Sequence, residues 1–257
     1  MPLTPRALWG CGAKRPLNRS LLSSTEQRHR LLSETSTDLT RRGRQNGAQA
    51  ECFVLPQWVI DLVKPVGHGI SRVLWRVSFR GLENIPESGG LIVAANHQTY
   101  IDPFWMGFAI KRPLRFLAWN EAFGWPVIGK LMGMFGAWPL ELDKSDLSAI
   151  KRSLQWLREG GVIVIFPEGG RGNPDGSPDK FKPGAVRMAL EAGVPILPVT
   201  IRGGHKVWPK GHSIPRFHRV EIIYHKPITV EQQNGEDVRQ CARRETQRLS
   251  EIIRSAL

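Results

Sequence analysis

From Gly81 onward the chain alternates short unbroken apolar runs with longer amphipathic ones. Leu91-Ile92-Val93-Ala94-Ala95 is one unbroken run and Val162-Ile163-Val164-Ile165-Phe166 another. Runs of four to six such residues, bounded by Gly, Asn or Pro, predict strands buried on both faces. Strands are expected over Gly90 to Ala95, Leu114 to Trp119, Gly136 to Leu140, Val162 to Phe166, Ile196 to Ile201 and Arg219 to Tyr224. Helical spacing occupies the intervals at Pro103 to Ile110, Trp125 to Met134, Asp146 to Glu159 and Gly184 to Ala192, and a charged helix closes the chain from Asp237 to Ala256. Alternation at these lengths implies an α/β fold, a mostly parallel central sheet flanked by helices.

Upstream, residues 54–79 carry a helical stripe of Leu55, Trp58, Val59, Leu62, Val63 and Val66, continued by Ile70, Val73, Leu74 and Val77. Pro65, Gly67 and Gly69 interrupt it, so two short N-terminal amphipathic helices with a kink or turn between them are expected. A stripe holding Trp58 and Trp75, edged by Lys64, Arg72 and Arg76, suits a lipid interface; packing against the domain is the other reading. Residues 1–50 are rich in Ser, Thr, Arg and Gln and lack apolar periodicity, as expected of a disordered basic tail. Their Arg- and Ser-rich, acid-poor composition also fits an organelle transit peptide, a dispensable tail or a start assigned too early. The expected organisation is this tail, then one domain over 51–257, made of the helical segment at 54–79, a core at 80–230 and a last helix at 236–256.

Charge changes the picture of partners. The net charge is +13, from 36 Lys and Arg against 23 Asp and Glu. The first 50 residues hold nine basic and three acidic side chains, so the remaining +7 belongs to the rest of the chain. Such a field favours polyanions: anionic lipid headgroups, nucleic acid, coenzyme A or an acidic carrier protein. Cys11, Cys52 and Cys241 are far apart and form no Cys/His cluster, which speaks against a zinc site and a closed disulfide set. The basic N-terminus has no signal-peptide core, being interrupted by Pro16, Asn18 and Arg19, and no stretch has the roughly eighteen apolar residues of a membrane span. A protein that is soluble or lies on a membrane surface is expected.

Candidate chemistry follows two of the strands, where open α/β sheets gather ligands. The first is Asn96-His97-Gln98-Thr99-Tyr100-Ile101-Asp102. Asp102 could cap the helix opened by Pro103, or turn back to hold one imidazole nitrogen of His97 and leave the other free to accept a proton from a hydroxyl. Asn96 could brace the turn. The second is Phe166-Pro167-Glu168-Gly169-Gly170-Arg171-Gly172. Glycines let backbone N–H groups approach an anion, and Arg171 adds a planar fork suited to phosphate. Glu168 could hold that fork or bind a substrate hydroxyl. Lys182, before the helix start at Gly184, adds a second cation. Asn96, Glu168, Gly169, Arg171 and Lys182 form the candidate substrate-binding set.

In this order the two motifs resemble the glycerolipid acyltransferase family that includes the 1-acylglycerol-3-phosphate acyltransferases. The resemblance rests on His97, four residues, Asp102, then Phe166-Pro167-Glu168-Gly169-Gly170-Arg171 and the apolar strand Val194-Pro195-Ile196-Leu197-Pro198-Val199, and it covers about residues 80–205. It implies transfer of a fatty acyl group from acyl-CoA or acyl carrier protein to the hydroxyl of lysophosphatidic acid, with the thioester a substrate and no cofactor, metal or acyl-enzyme. By it His97 is the general base, Asp102 its orienting partner, and Glu168, Gly169 and Arg171 bind the acceptor phosphate. It also implies peripheral attachment to a membrane lipid surface, on the cytoplasmic face. Trp105, Trp119, Phe123 and Trp125 are available for an acyl groove or for the core.

Two departures from the family pattern bear on the acceptor. After Gly136-Ala137-Trp138-Pro139-Leu140-Glu141, Leu142 stands where the family carries an arginine, followed by Asp143. Gly170 and Gly172 replace hydroxyl residues. Lys130, Lys144 or Lys182 would have to restore the charge; otherwise another lyso-lipid, such as an acylated amino acid, becomes the acceptor. A non-catalytic basic binder of anionic lipid or nucleic acid is the rival class. Its basic residues are scattered without a nucleic-acid motif, and it has no need of His97 near Asp102, so no nucleic-acid partner is expected.

Overall fold

The computed structural model describes residues 54–119, 123, 128–140, 146–209, 212 and 214–257. The tail at 1–50, Trp125 and the stretch Leu142 to Lys144 lie outside these described residues, as does the side chain of Trp119. The described strands are β1 (Ser78–Arg80), β2 (Leu91–Ala95), β3 (Leu114–Trp119), β4 (Ala137–Leu140), β5 (Val162–Ile165), β6 (Ile196–Arg202) and β7 (Glu221–Tyr224). The helices are α1 (Gln57–Trp75), α2 (Asp102–Ala109), α3 (Ile128–Met134), α4 (Leu147–Arg158), α5 (Gly184–Ala192), α6 (Gly204–Val207) and α7 (Val238–Arg254). The strands form one sheet in the order β1-β7-β6-β2-β5-β3-β4. Strands β2 to β6 run parallel, as the alternation predicts. β7 lies antiparallel to β6, and β1 pairs in parallel with β7.

Burial explains the unbroken apolar runs. Along β2, Leu91, Val93 and Ala95 face one core cluster with Trp105 and Met106 of α2, whereas Ile92 and Ala94 face another with Leu154 of α4, Ala185 of α5 and Leu249 of α7. A strand covered on both sides has no place for polar alternation. Trp105 is fully buried in the first cluster, so it is a core residue rather than groove lining, and Phe123 packs against the same cluster.

Residues 54–79 differ from the expected pair of helices. α1 is one helix of 19 residues with Pro65 inside it. Proline removes one backbone hydrogen bond and each interior glycine costs about 1 kcal/mol of propensity, but packing outweighs both. A Cβ on Gly67 would lie 3.0 Å from the Phe108 ring of α2, so the glycine lets the two helices meet closely. The helix ends where Arg76 takes a left-handed conformation (φ 47°), and Val77 then enters the core. β1 follows at once; three residues are too few to carry a periodic signal. Trp58, Leu62, Val66, Ile70 and Val73, spaced four, four, four and three apart, form one line on α1 and all are exposed, Val73 by 80%. The line is open to solvent along its length, with Ile70 also lining the groove against α2. Among the described residues no helix is long and apolar enough to cross a membrane.

Candidate active site

β2 and β5 are adjacent parallel strands with Ala94 opposite Ile165. Three residues further along each, the chain reaches His97 and Glu168. The His97 backbone N–H donates to Glu168 Oε1 at 2.7 Å. Both motifs therefore leave the sheet side by side at the carboxyl ends of central strands.

The two alternatives for Asp102 resolve in favour of the imidazole. Asp102 opens α2 but makes no side-chain cap there. Its Oδ2 lies 3.0 Å from His97 Nδ1 and accepts from the N–H groups of Gln98 at 2.6 Å and Thr99 at 2.7 Å, while Oδ1 accepts from the Thr99 hydroxyl at 2.9 Å. The carboxylate is wholly buried, and these donors replace its water. An acceptor-only carboxylate beside Nδ1 fixes the proton on that nitrogen, which leaves Nε2 with a free lone pair. The ring stacks on Phe166, with centroids 4.0 Å apart and planes 22° from parallel.

The loop after β5 clamps this histidine. Glu168 is buried, and its second oxygen accepts from the Asp179 N–H at 2.7 Å. Burial raises its carboxyl above the ordinary range, and the bonds from Asp179 and His97 pull the other way. Gly172 N–H donates to the His97 carbonyl at 2.7 Å. Both backbone groups of His97 are thus held by the same loop. Glu168 braces the main chain, and the Arg171 fork, its expected partner, lies on Trp208 and Tyr100 instead. Gly169, expected to offer its N–H to an anion, spends it on the Phe166 carbonyl at 3.0 Å. What Gly169 supplies is positive φ (73°) and room: an added Cβ would sit 2.7 Å from Lys182 Nζ.

Asn96 also takes a different post from the expected substrate ligand. It is fully buried, its Nδ2 donates to the Ile201 carbonyl at 2.9 Å and its Oδ1 accepts from the Ile201 N–H at 2.7 Å. The amide side chain thereby continues the β2–β6 ladder one step past the strand. Gln98, not singled out in the sequence, does similar work: it donates to the Gly176 carbonyl at 3.0 Å and accepts from the His205 N–H at 3.2 Å. Nothing local marks it, because both partners are remote in sequence.

Two cations remain toward the loop surface. Arg171 is half-buried, 4.1 Å over the ring of Tyr100, and donates to the Trp208 carbonyl at 3.3 Å. Tyr100 comes three residues after His97, and Gly172 next to Arg171 holds the His97 carbonyl, so guanidinium and imidazole occupy adjoining turns. Lys182 is exposed with its ammonium beside Gly169. An apolar cavity of about 280 Å³ opens between α1 and α2, its wall beginning at Pro103, the residue after Asp102. Ile60, Gly67, Phe104 and Phe108 line it, with Lys64 donating to the Ile110 carbonyl at 2.9 Å.

Residues 76–202 match the Acyltransferase family. A 1-acyl-sn-glycerol-3-phosphate acyltransferase of Streptococcus pneumoniae is 32% identical over 192 residues, spanning 70% of this chain and 69% of that protein. The chain belongs to the acyltransferase family. A chloroplastic 1-acyl-sn-glycerol-3-phosphate acyltransferase of Arabidopsis thaliana is 34% identical over 158 residues, 60% of this chain and 44% of that protein. The chain spans about half the length of the plant and algal relatives it matches. Among solved structures, the 1-acyl-sn-glycerophosphate acyltransferase PlsC from Thermotoga maritima is similar with a TM-score of 0.61 and 26% identity, covering 77% of this chain and 78% of that one. The matched family segment runs from the end of α1 to the end of β6 and so contains both loops of the site.

Proposed function

We propose that the protein transfers a fatty acyl group from acyl-CoA or acyl carrier protein to the free hydroxyl of lysophosphatidic acid, yielding phosphatidic acid for phospholipid synthesis. The His97–Asp102 pair carries this reading: a buried carboxylate 3.0 Å from Nδ1, with the opposite ring nitrogen bonded to none of the described residues. In the first step Nε2 takes the acceptor hydroxyl proton as its oxygen attacks the thioester carbonyl carbon. Asp102 stabilises the imidazolium that forms. The tetrahedral intermediate then collapses, the carbon–sulfur bond breaks, and the leaving thiolate takes the proton back from Nε2. The acyl group passes directly between substrates, and the thioester brings the reactive carbon, so the reading calls for no resident cofactor or metal.

Arg171 and Lys182 are the cations proposed to meet the acceptor phosphate, with Gly169 leaving room for the ammonium. The cavity between α1 and α2 suits an acyl chain, being apolar and bounded by the helix that Asp102 opens. The exposed apolar line on α1 suits a lipid interface and supports the reading of a peripheral protein, with the cytoplasmic face as its proposed side.

The test is thioester release by purified protein over a panel of acceptors: lysophosphatidate, other lysophospholipids and an acylated amino acid. Release only with lysophosphatidate, lost in a folded His97→Ala variant, supports the proposal. Exclusive use of another lyso-lipid reassigns the acceptor, and turnover surviving in His97→Ala removes His97 as the base.

A further inference from the structure

We infer that the segment from His205 to Arg219, which joins β6 to β7, is a second lipid-contact element that presses Ile214 and Phe217 onto an anionic membrane surface. The inference rests on the peripheral-membrane reading above and concerns a part of the chain beyond α1. From His205 to Arg219 the sequence has Lys206, Lys210, Arg216 and Arg219 with three histidines, and no Asp or Glu. Within it Phe217 is 80% and Ile214 76% exposed, among the largest exposures of any big apolar side chain described. Arg216, His218 and Arg219 beside them are exposed too. A single exposed apolar residue needs no explanation. Two on one short acid-free loop, with the exposed Arg216 and Arg219 next to them in sequence, have the make-up of an element that sits at a headgroup boundary and is drawn there by anionic lipid.

The described residues of the loop are held in place from both sides. The Arg216 N–H donates to the Val207 carbonyl at 2.6 Å, and Trp208 Nε1 donates to the His212 carbonyl at 2.7 Å. Trp75, the last residue of α1, donates from its indole to the Arg216 carbonyl at 3.1 Å. At its other end Trp208 accepts from Arg171 and packs edge-on against Tyr100, with centroids 5.7 Å apart. The segment therefore spans from the end of the helix bearing the exposed apolar line to the arginine beside the candidate base. An element at this place that touches lipid brings the site rim to the depth of a lysolipid headgroup.

Co-sedimentation of the full chain with vesicles of mixed phosphatidylglycerol and phosphatidylcholine tests this directly. The double variant Ile214→Ser with Phe217→Ser is expected to bind these vesicles at least about fivefold less than the parent, since both side chains lose their interfacial transfer. Its turnover of a short-chain lysophosphatidate that stays dissolved is expected to match the parent, which also shows that the variant folds. Arg216→Ser with Arg219→Ser is expected to weaken the preference for phosphatidylglycerol over pure phosphatidylcholine vesicles. Unchanged sedimentation of the Ile214/Phe217 variant overturns the inference. So does a change in self-association on gel filtration with vesicle binding kept, which makes the patch a contact between copies. Sedimentation needs no turnover, so failure of the acyltransfer assay leaves this result standing, whereas a parent chain that never sediments removes the membrane reading and the loop with it.

Discussion

Glu168 holds the candidate base by its main chain: the His97 N–H donates to Glu168 Oε1 at 2.7 Å, while the other carboxylate oxygen accepts from Asp179 at 2.7 Å. A buried carboxylate shared by two backbone donors is a tie between loops. It controls where the imidazole stands. Glutamine at this position keeps one acceptor and turns the other into a donor facing an N–H. Glu168→Gln is therefore expected to lower kcat at least about tenfold, with KM for the acceptor within about twofold, and to cost about 2 kcal/mol of stability. Steady-state kinetics over acceptor concentration read this. A rise in KM with kcat preserved would make Glu168 a substrate ligand after all.

Asp102 fixes the tautomer of His97, and its oxygens accept from four donors that asparagine cannot satisfy together. In Asp102→Asn an NH₂ in place of Oδ2 faces the Gln98 and Thr99 N–H groups as well as the imidazole, whose proton then moves to Nε2, whereas an NH₂ in place of Oδ1 faces the Thr99 hydroxyl, which must turn from donor to acceptor. Activity is expected to fall about a hundredfold or more, with a lowered melting temperature. Retained activity at parental pH dependence would mean that the carboxylate neither orients nor stabilises the ring.

The positions of both loops are legible in the sequence because a doubly buried parallel strand must be an unbroken apolar run, and the polar residues that follow it mark the strand end. Leu91 to Ala95 and Val162 to Ile165 announce themselves this way. Which polar atom does which task is not legible. Asn96 and Glu168 look like ligands when read alone. Only the Ala94–Ile165 register sets Glu168 under the His97 N–H, and only the pairing of β2 with β6 gives Asn96 the Ile201 backbone as partner. The continuous α1 was hidden for a related reason: Pro65 and two glycines break the local pattern, whereas close packing on Phe108 is a long-range term that overrides it. The antiparallel β7 follows a loop of about twenty residues, whose path no periodicity records.

Arg171 offers a planar fork held over Tyr100. Lysine keeps the charge and loses the fork and the stacking. Arg171→Lys is expected to raise KM for lysophosphatidate about tenfold while kcat changes by less than about threefold. The comparison with an acceptor lacking phosphate is decisive: an equal rise in KM for both would remove Arg171 from phosphate recognition.

The cavity between α1 and α2 has Gly67 in its wall, 3.0 Å from the Phe108 ring if given a Cβ. Gly67→Val narrows it from one side and pushes on a ring that can rotate. Competition between acyl-CoA donors of different length is expected to shift toward shorter chains by at least about threefold, since the lost space removes apolar contact from the longer ones. An unchanged length preference with normal activity would place the acyl chain elsewhere.

Two histidines outside the candidate catalytic pair are expected to set an acid limit on stability. Burial holds His205 below its ordinary value of 6.5, and the charges of Lys206 and His218 add to this while Asp175 opposes it. Burial also lowers His225, whose Nε2 lies 2.8 Å from the Thr200 hydroxyl. In the unfolded chain both take protons at about the ordinary value, earlier on acidification than in the native state. Their contribution is therefore present above 6.5 and is lost as the pH falls through that value toward the lower native ones. Glu168, whose carboxyl is raised, has the opposite sign: it takes its proton first in the native state, in a window that begins at 4.5 and extends upward. Melting temperatures across about pH 8 to 5 are expected to decline on the acid side, and His205→Asn combined with His225→Gln is expected to flatten the decline. A decline equally steep in the double variant would transfer the acid sensitivity to other groups.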